Sequence, residues 1–347
     1  MFASIPRSKL LFFLTTVALM GAACSGGASS PPEVQPTCAT AGLTFPSPPA
    51  SQPSGVPAGT GTTIDSISRG AAALDLLSTN SPVQPGSNVY SFDLVTPQRQ
   101  LITGGSPQVW VAQSRTAAAV GPFSATWYPF TAYSRCHDGS PRTPLPGTYA
   151  VTIDLPSPGS WFVAASVQNG TQKAVAVGDP HAKPSTGIAV TAGPVVAQIG
   201  TKAISVATPV ATTEAGRKKI CTRTPTDPLH SISLDRALTD GKPTVVAFAT
   251  PLLCESRLCG PVVDEVFLAE QVTGPAKANF IHVEEFLPGS DLTPPPPALQ
   301  NQSPAFKAWH FTTEPWTVII DRTGVIRARF EGPVTAAEIL AALQPLL

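Results

Sequence analysis

Three regimes of hydrophobic patterning divide the chain. Between residues 62 and 194, apolar and polar positions alternate in short runs, the period of two that turns one face of a strand inward. The runs at 89–94, 109–112, 149–155 and 161–167 are the clearest. Pro and Gly punctuate them, and Pro156-Ser157-Pro158-Gly159 between the last two predicts a hairpin-like connection. Many short strands with frequent turn signals predict an antiparallel β-sandwich.

From Pro228 onward the period changes. A short helix at 233–238, ended by Gly241, precedes the β-branched and aromatic run 244–250, which reads as a strand buried on both faces. Pro261 then suits the first turn of a helix, and Val262, Val263, Val266 and Phe267 recur at helical spacing. A second strand spans 279–286, and four consecutive prolines, Pro294 to Pro297, require an exposed loop. One or two helical turns are expected at 303–309. Strands at 316–321 and 325–330 are joined tightly through Arg322-Thr323-Gly324. Thr335 and Glu338 then form a capping box for a last helix that turns Ile339, Leu340, Leu343 and Leu346 inward. The order is helix, strand, helix, strand, helix, strand, strand, helix.

The third regime lies outside both patterns. Arg7 and Lys9, the apolar run 10–20 and Gly21-Ala22-Ala23 read as a secretory signal over residues 1–23. Small residues followed by Cys24 resemble a bacterial lipobox, which implies lipid attachment at Cys24, although an aliphatic residue is usual where Gly21 stands. Residues 24–61, rich in Pro, Ser, Gly and Thr, are expected to be a disordered tether, and 195–227 a linker. In the linker, 195–206 is apolar enough to serve instead as a last sandwich strand, and Arg217-Lys218-Lys219 reads as a solvated surface. The 347 residues suffice for about two domains of roughly 150 residues each. With net charge zero and 13% charged residues, nothing suggests a nucleic-acid partner.

Export bears on the cysteines. Of six, Cys24 is assigned to lipid, leaving Cys38, Cys136, Cys221, Cys254 and Cys259, an odd number, so one thiol is expected outside any internal pair. Cys136-His137-Asp138 reads as half of a disulfide before it reads as a metal site. Cys259 stands at a strand-to-helix junction, where unpaired amides and the helix dipole favour a thiolate, and Arg257 adds a cation.

Cys259-Gly260-Pro261 at that junction and Glu314-Pro315-Trp316-Thr317 before the hairpin resemble the thioredoxin fold over about the last 115 residues, and most closely the thioredoxin-domain lipoproteins of the cell envelope. The fold class expected is therefore multidomain: an immunoglobulin-like β-sandwich at 62–194, then an α/β thioredoxin-like domain at 228–347. The resemblance implies disulfide exchange on exported proteins, with Cys259 as the attacking sulfur and a cis-Pro315, Trp316 beside it, against the substrate chain. Val262 replaces the second cysteine of that family's motif, Leu258 its tryptophan, and its buried strand carboxylate has no counterpart in 245–249. Cys254 is left as the resolving thiol, and Glu255, His282 and Glu284 as candidates for proton transfer. The competing reading is a structural Cys254–Cys259 disulfide, contributing roughly 2 kcal/mol in a non-enzymatic scaffold lipoprotein. No cofactor or metal is expected. Both methionines, Met1 and Met20, lie in the leader, and Cys-x4-Cys is one residue longer than the spacing of copper-delivery proteins on this fold.

Overall fold

The computed structural model describes residues 37–45, 61–79, 81–136, 146–254, 256–288 and 301–347. The leader, Cys24, His137, Asp138, Glu255 and the proline run lie outside them. Residues Gln35–Leu347 form one compact unit.

The first half is built on α1 (Ile64–Ser68) and strands β1 (Ala72–Ser78), β2 (Gly86–Val95), β3 (Leu101–Ile102), β4 (Gln108–Ala112), β5 (Val120–Ser124) and β6 (Thr126–Pro129). A helical turn α2 (Tyr133–Cys136) follows, then β7 (Gly147–Leu155), β8 (Gly159–Asn169), β9 (Gln172–Gly178) and β10 (Ile188–Val190). The ten strands make one hydrogen-bonded sheet, ordered β5-β4-β8-β9-β1-β2-β7-β6, with β10 on β8 and β3 on β2. Only Ala125 separates β5 from β6 in sequence, yet they occupy the two ends of that order. The ends must therefore lie side by side, and the sheet curls around one core that includes Phe92, Leu94, Val111, Tyr149, Ile153 and Val163.

This differs from the expected immunoglobulin-like arrangement in two respects. β1 pairs antiparallel with β2 and parallel with β9, so the sheet is mixed and continuous. β7 and β8 do not pair: three strands lie between them in the order, so residues 156–158 are a crossover and no hairpin. Turn chemistry reports that the chain reverses, but not which strand it meets next.

The second half follows the expected order. It comprises α3 (Glu214–Arg217), α4 (Leu234–Ala237), β11 (Thr244–Phe248), α5 (Cys259–Thr273), β12 (Asn279–Val283), α6 (Pro304–Ala308), β13 (Trp316–Ile320), β14 (Ile326–Glu331) and α7 (Ala336–Leu343). The sheet order is β12-β11-β13-β14, with β11 parallel to β12 and the other pairs antiparallel. The period of two sends Val245 and Ala247 into one core with α5 and α7, and Val246 and Phe248 into the other with α4 and α6. Thr335 caps α7 as expected, its hydroxyl and Glu338 satisfying each other's amides.

Two stretches expected to be loose are packed. In the tether, Cys38 is bonded to Cys136, Ala39 N–H donates to the Arg135 carbonyl, and Leu43 and Phe45 lie against the core. In the linker, Gly200 and Ala203 donate to the Ile326 and Gly324 carbonyls, while Ile326 donates back to Thr201. Residues 200–203 thus cover the free edge of β14, which would otherwise present unpaired amides, and add no strand to the first half. Arg217 is 1% exposed, held by Thr226, the Thr212 carbonyl and Glu214, so the solvated-surface reading fits only Lys218 and Lys219.

The halves are fastened through α5. Glu265 Oε1 accepts the amides of Thr131 and Ala132 at 2.6 and 2.7 Å, and Oε2 accepts that of Ala336 at 2.8 Å. Beside it, Asp264 takes the Arg223 guanidinium at 2.7 Å, and Arg223 also donates to the Cys136 carbonyl. We expect Glu265→Ala, which leaves three buried amides unpaired, to lower unfolding free energy by about 3 kcal/mol or more in urea denaturation. The exposed Val272→Ala should lose under about 0.5 kcal/mol, and equal losses would remove Glu265 from this role.

Candidate functional site

β11 is hydrophobic on both faces and runs through the middle of its sheet, so the chain emerges from the core at a fixed point. Ala249 N–H still pairs with the Val283 carbonyl, after which a turn at 250–253 carries the chain out and α5 begins at Cys259. Leu252 at the tip is 65% exposed. Arg257, on the surface, adopts a left-handed φ of 61°, which lets the loop double back into the helix.

The loop brings Cys254 and Cys259 to a Cα separation of 5.9 Å, and their sulfurs are bonded. Cys254 is half-buried and Cys259 has no exposed surface. The accessible sulfur is therefore Cys254, and the sequence-based assignment of Cys259 as the attacking group fails on access. The physical ground for that assignment survives in another form. The Cys259 N–H, the first amide of α5, donates to Cys254 Sγ at 3.2 Å, and Ser256 Oγ lies 3.2 Å from the same sulfur. The helix N-terminus thus stabilises negative charge on the cysteine before it rather than on the one that begins it.

Opposite the pair, the Glu314–Pro315 peptide bond is cis. One Glu314 carboxylate oxygen lies within 4.8 Å of both sulfurs. Burial above all, with the neighbouring charges of Glu285 and Glu284, raises the Glu314 carboxyl against the hydrogen bonding with Thr250, and together they bring it to about 8. Its Oε2 is buried with no hydrogen-bond partner among the described residues. The sequence-based candidates Glu255, His282 and Glu284 come from the loop and the second strand, whereas the fold supplies an acid from the segment just before β13. The signal available was an acidic residue directly before the proline expected to face the disulfide.

The other expected residues among those described stand outside the Cys254–Cys259–Glu314 group, Pro315 adjoining it. Pro315 and Trp316 are buried, the Trp316 ring stacking on Phe311 at 4.8 Å with its Nε1 donating to Thr313, so Trp316 packs the core and offers no surface to a substrate. His282 is turned to Asp227 and the Ala249 carbonyl, and Glu284 accepts from Thr222. Neither joins the Cys254–Cys259–Glu314 group. Cys136 is half of a disulfide, Cys38–Cys136, and Cys221 is the free thiol among the described residues. A cleft of about 170 Å³ where the halves meet is lined by Ser81, Tyr90, Trp316 and Arg329 among others, and by neither sulfur. The disulfide lies on a loop outside that cleft.

Replacing Glu314 by Gln reports on the buried carboxyl. Its pKa is raised in the folded protein, from 4.5 to about 8, so folding favours the protonated form. The wild type should lose thermal stability relative to Glu314→Gln as pH rises from about 4.5 to about 8, then level off. Melting curves across that range check this, and a gap independent of pH would overturn it.

No protein-family model matches the chain, and no curated protein sequence matches it. Among solved structures, a thiol:disulfide interchange protein of the thioredoxin family from Chlorobium tepidum TLS is similar at 15% identity, over 42% of this chain and 99% of that one, with a TM-score of 0.24.

Proposed function

We propose that the chain is a membrane-anchored, extracytoplasmic thiol–disulfide oxidoreductase-like protein acting on exported proteins. The observation that carries this reading is the grouping at the start of α5: a disulfide with one accessible sulfur, a helix amide on that sulfur, and a half-buried carboxyl within 4.8 Å of the pair, one of whose oxygens has no hydrogen-bond partner among the described residues. Export is supported by the leader and by two disulfides, and the lipid anchor by the small residues before Cys24. Among the described residues no helix is long and apolar enough to cross a membrane.

The chemistry follows from access and charge. A substrate thiolate attacks Cys254 Sγ, the bond to Cys259 breaks, and its electron pair leaves on the Cys259 sulfur. The protonated Glu314 carboxyl supplies the proton that neutralises this buried thiolate. A second substrate thiolate then attacks the substrate sulfur of the mixed disulfide and expels the Cys254 thiolate, which the Cys259 amide holds. The substrate dithiol is oxidised and the Cys254–Cys259 disulfide reduced. In the opposite direction Cys254 attacks a substrate disulfide and Cys259 resolves it. Exposed Leu252 gives an apolar contact for the substrate backbone beside the reactive sulfur.

Cysteine trapping tests the assignment. Cys259→Ser should accumulate a mixed disulfide through Cys254 when mixed with an unfolded protein that retains a disulfide, the substrate's second sulfur leaving as a thiolate, whereas Cys254→Ser should not, because its remaining sulfur is buried. The wild-type pair should titrate reversibly with a potential above about −300 mV. A disulfide that resists excess dithiol until the protein unfolds would replace this function with that of a non-enzymatic envelope scaffold.

A further inference from the structure

A second cluster of chemical groups lies behind the disulfide loop, on elements that the redox chemistry does not use. Cys221, Asp227 and His230 come from the segment that crosses β12, and His282 from β12 itself. All four are buried, between 0% and 4% exposed, and each offers one donor atom within 4.8 Å of the others. His282 Nδ1 is 2.9 Å from Asp227 Oδ2, Cys221 Sγ is 3.2 Å from the same oxygen, and Sγ and Nδ1 are 3.9 Å apart. His230 Nε2 is 3.5 Å from Asp227 Oδ1, and the two imidazole rings are 5.0 Å apart.

The hydrogen bonds around the cluster fix which atoms face inward. His282 Nε2 lies 3.0 Å from the Ala249 carbonyl, which can only accept, and 3.6 Å from Glu284 Oε1, so Nε2 carries a hydrogen and Nδ1, once an incoming cation displaces its proton, turns a lone pair toward Asp227 and Cys221. Asp227 Oδ1 accepts the Leu229 amide at 3.1 Å, which orients the carboxylate. Nitrogen, oxygen and sulfur donor atoms therefore converge on one point. Hydrogen bonds from the Cys221 thiol and from His282 Nδ1 to Asp227 Oδ2 answer two of these contacts and leave His230 unanswered: its Nε2 is buried with no hydrogen-bond partner among the described residues. A divalent cation answers all four.

We propose that Cys221, Asp227, His230 and His282 form a closed, four-coordinate site for a divalent transition metal of the zinc type. One thiolate, two imidazoles and one carboxylate make a mixed nitrogen, oxygen and sulfur set, which suits zinc and does not suit magnesium or calcium. Tetrahedral bonds of about 2.0–2.3 Å place ligand atoms about 3.3–3.7 Å apart, and the separations among Cys221, Asp227 and His282 bracket that range. Binding displaces the Cys221 thiol proton and the His282 Nδ1 proton to solvent, with no change of oxidation state. The Ala249 and Leu229 contacts are the outer hydrogen bonds that hold such ligands in place. The metal would tie the 221–230 segment to β12 at the root of the disulfide loop, and its presence does not depend on the exchange chemistry.

The test uses the full chain, with Cys254–Cys259 confirmed oxidised and Cys221 confirmed reduced by alkylation after unfolding. Zinc-supplemented protein should retain about one equivalent of zinc after dialysis, and cobalt(II) should give a thiolate-to-cobalt absorption band. That band should persist in a Cys254→Ser/Cys259→Ser double variant and vanish in Cys221→Ser. His230→Ala should weaken cobalt affinity by about tenfold or more. Wild-type protein with reduced Cys221 that retains under a tenth of an equivalent and gives no thiolate band would overturn the site in favour of a hydrogen-bonded network, whether or not the variants fold. A band that follows Cys254 and Cys259 instead would overturn it equally.

Discussion

The structure depends on the burial of nearly all of α5. Its sequence offers Val262, Val263, Val266 and Phe267 to the sheet, yet Asp264 and Glu265, on the turn between them, are buried as completely. A carboxylate taken from water must find donors. The donors here are backbone amides at 131, 132 and 336 and the guanidinium of Arg223, drawn from the first half, from the start of α7 and from the segment between the halves. One pair of acidic side chains therefore holds together what the sequence divides into domains. The Cys38–Cys136 disulfide, packed in the same core, adds a covalent tie at that seam.

The burial of the start of α5 also explains the asymmetry of the disulfide. Cys259 is its first residue and shares the helix's burial, while Cys254, five positions earlier, is still on the loop. The electrostatic benefit of the helix end reaches outward through the Cys259 amide to the half-buried sulfur of Cys254. Glu314 closes the arrangement from the segment just before β13 as a neutral acid, because a carboxylate there has too little solvent and too many acidic neighbours.

Much of the second half was legible in the sequence. The β-branched run at 244–250, the capping box at Thr335 and the Arg322–Gly324 turn each carry a local signal whose meaning does not depend on distant residues. The strands of the first half were legible for the same reason, but their partners were not. The 156–158 connection reads as a reversal, and only the curling of the sheet decides that it crosses between distant strands. The tether and the linker read as loose because Pro, Ser, Gly and Thr bury little surface by themselves, whereas their order here comes from the edge, core and disulfide they meet.

The sites divide along the same line. Sequence alone determined that two cysteines flank the start of a helix after a buried strand, since periodicity and spacing are local properties of the chain. Tertiary structure decided which sulfur is reachable, that Glu314 faces the pair, and that Cys221, Asp227, His230 and His282 share a point in space. Those facts depend on which side chains meet after strands and loops far apart in sequence have packed, and no period along the chain encodes that.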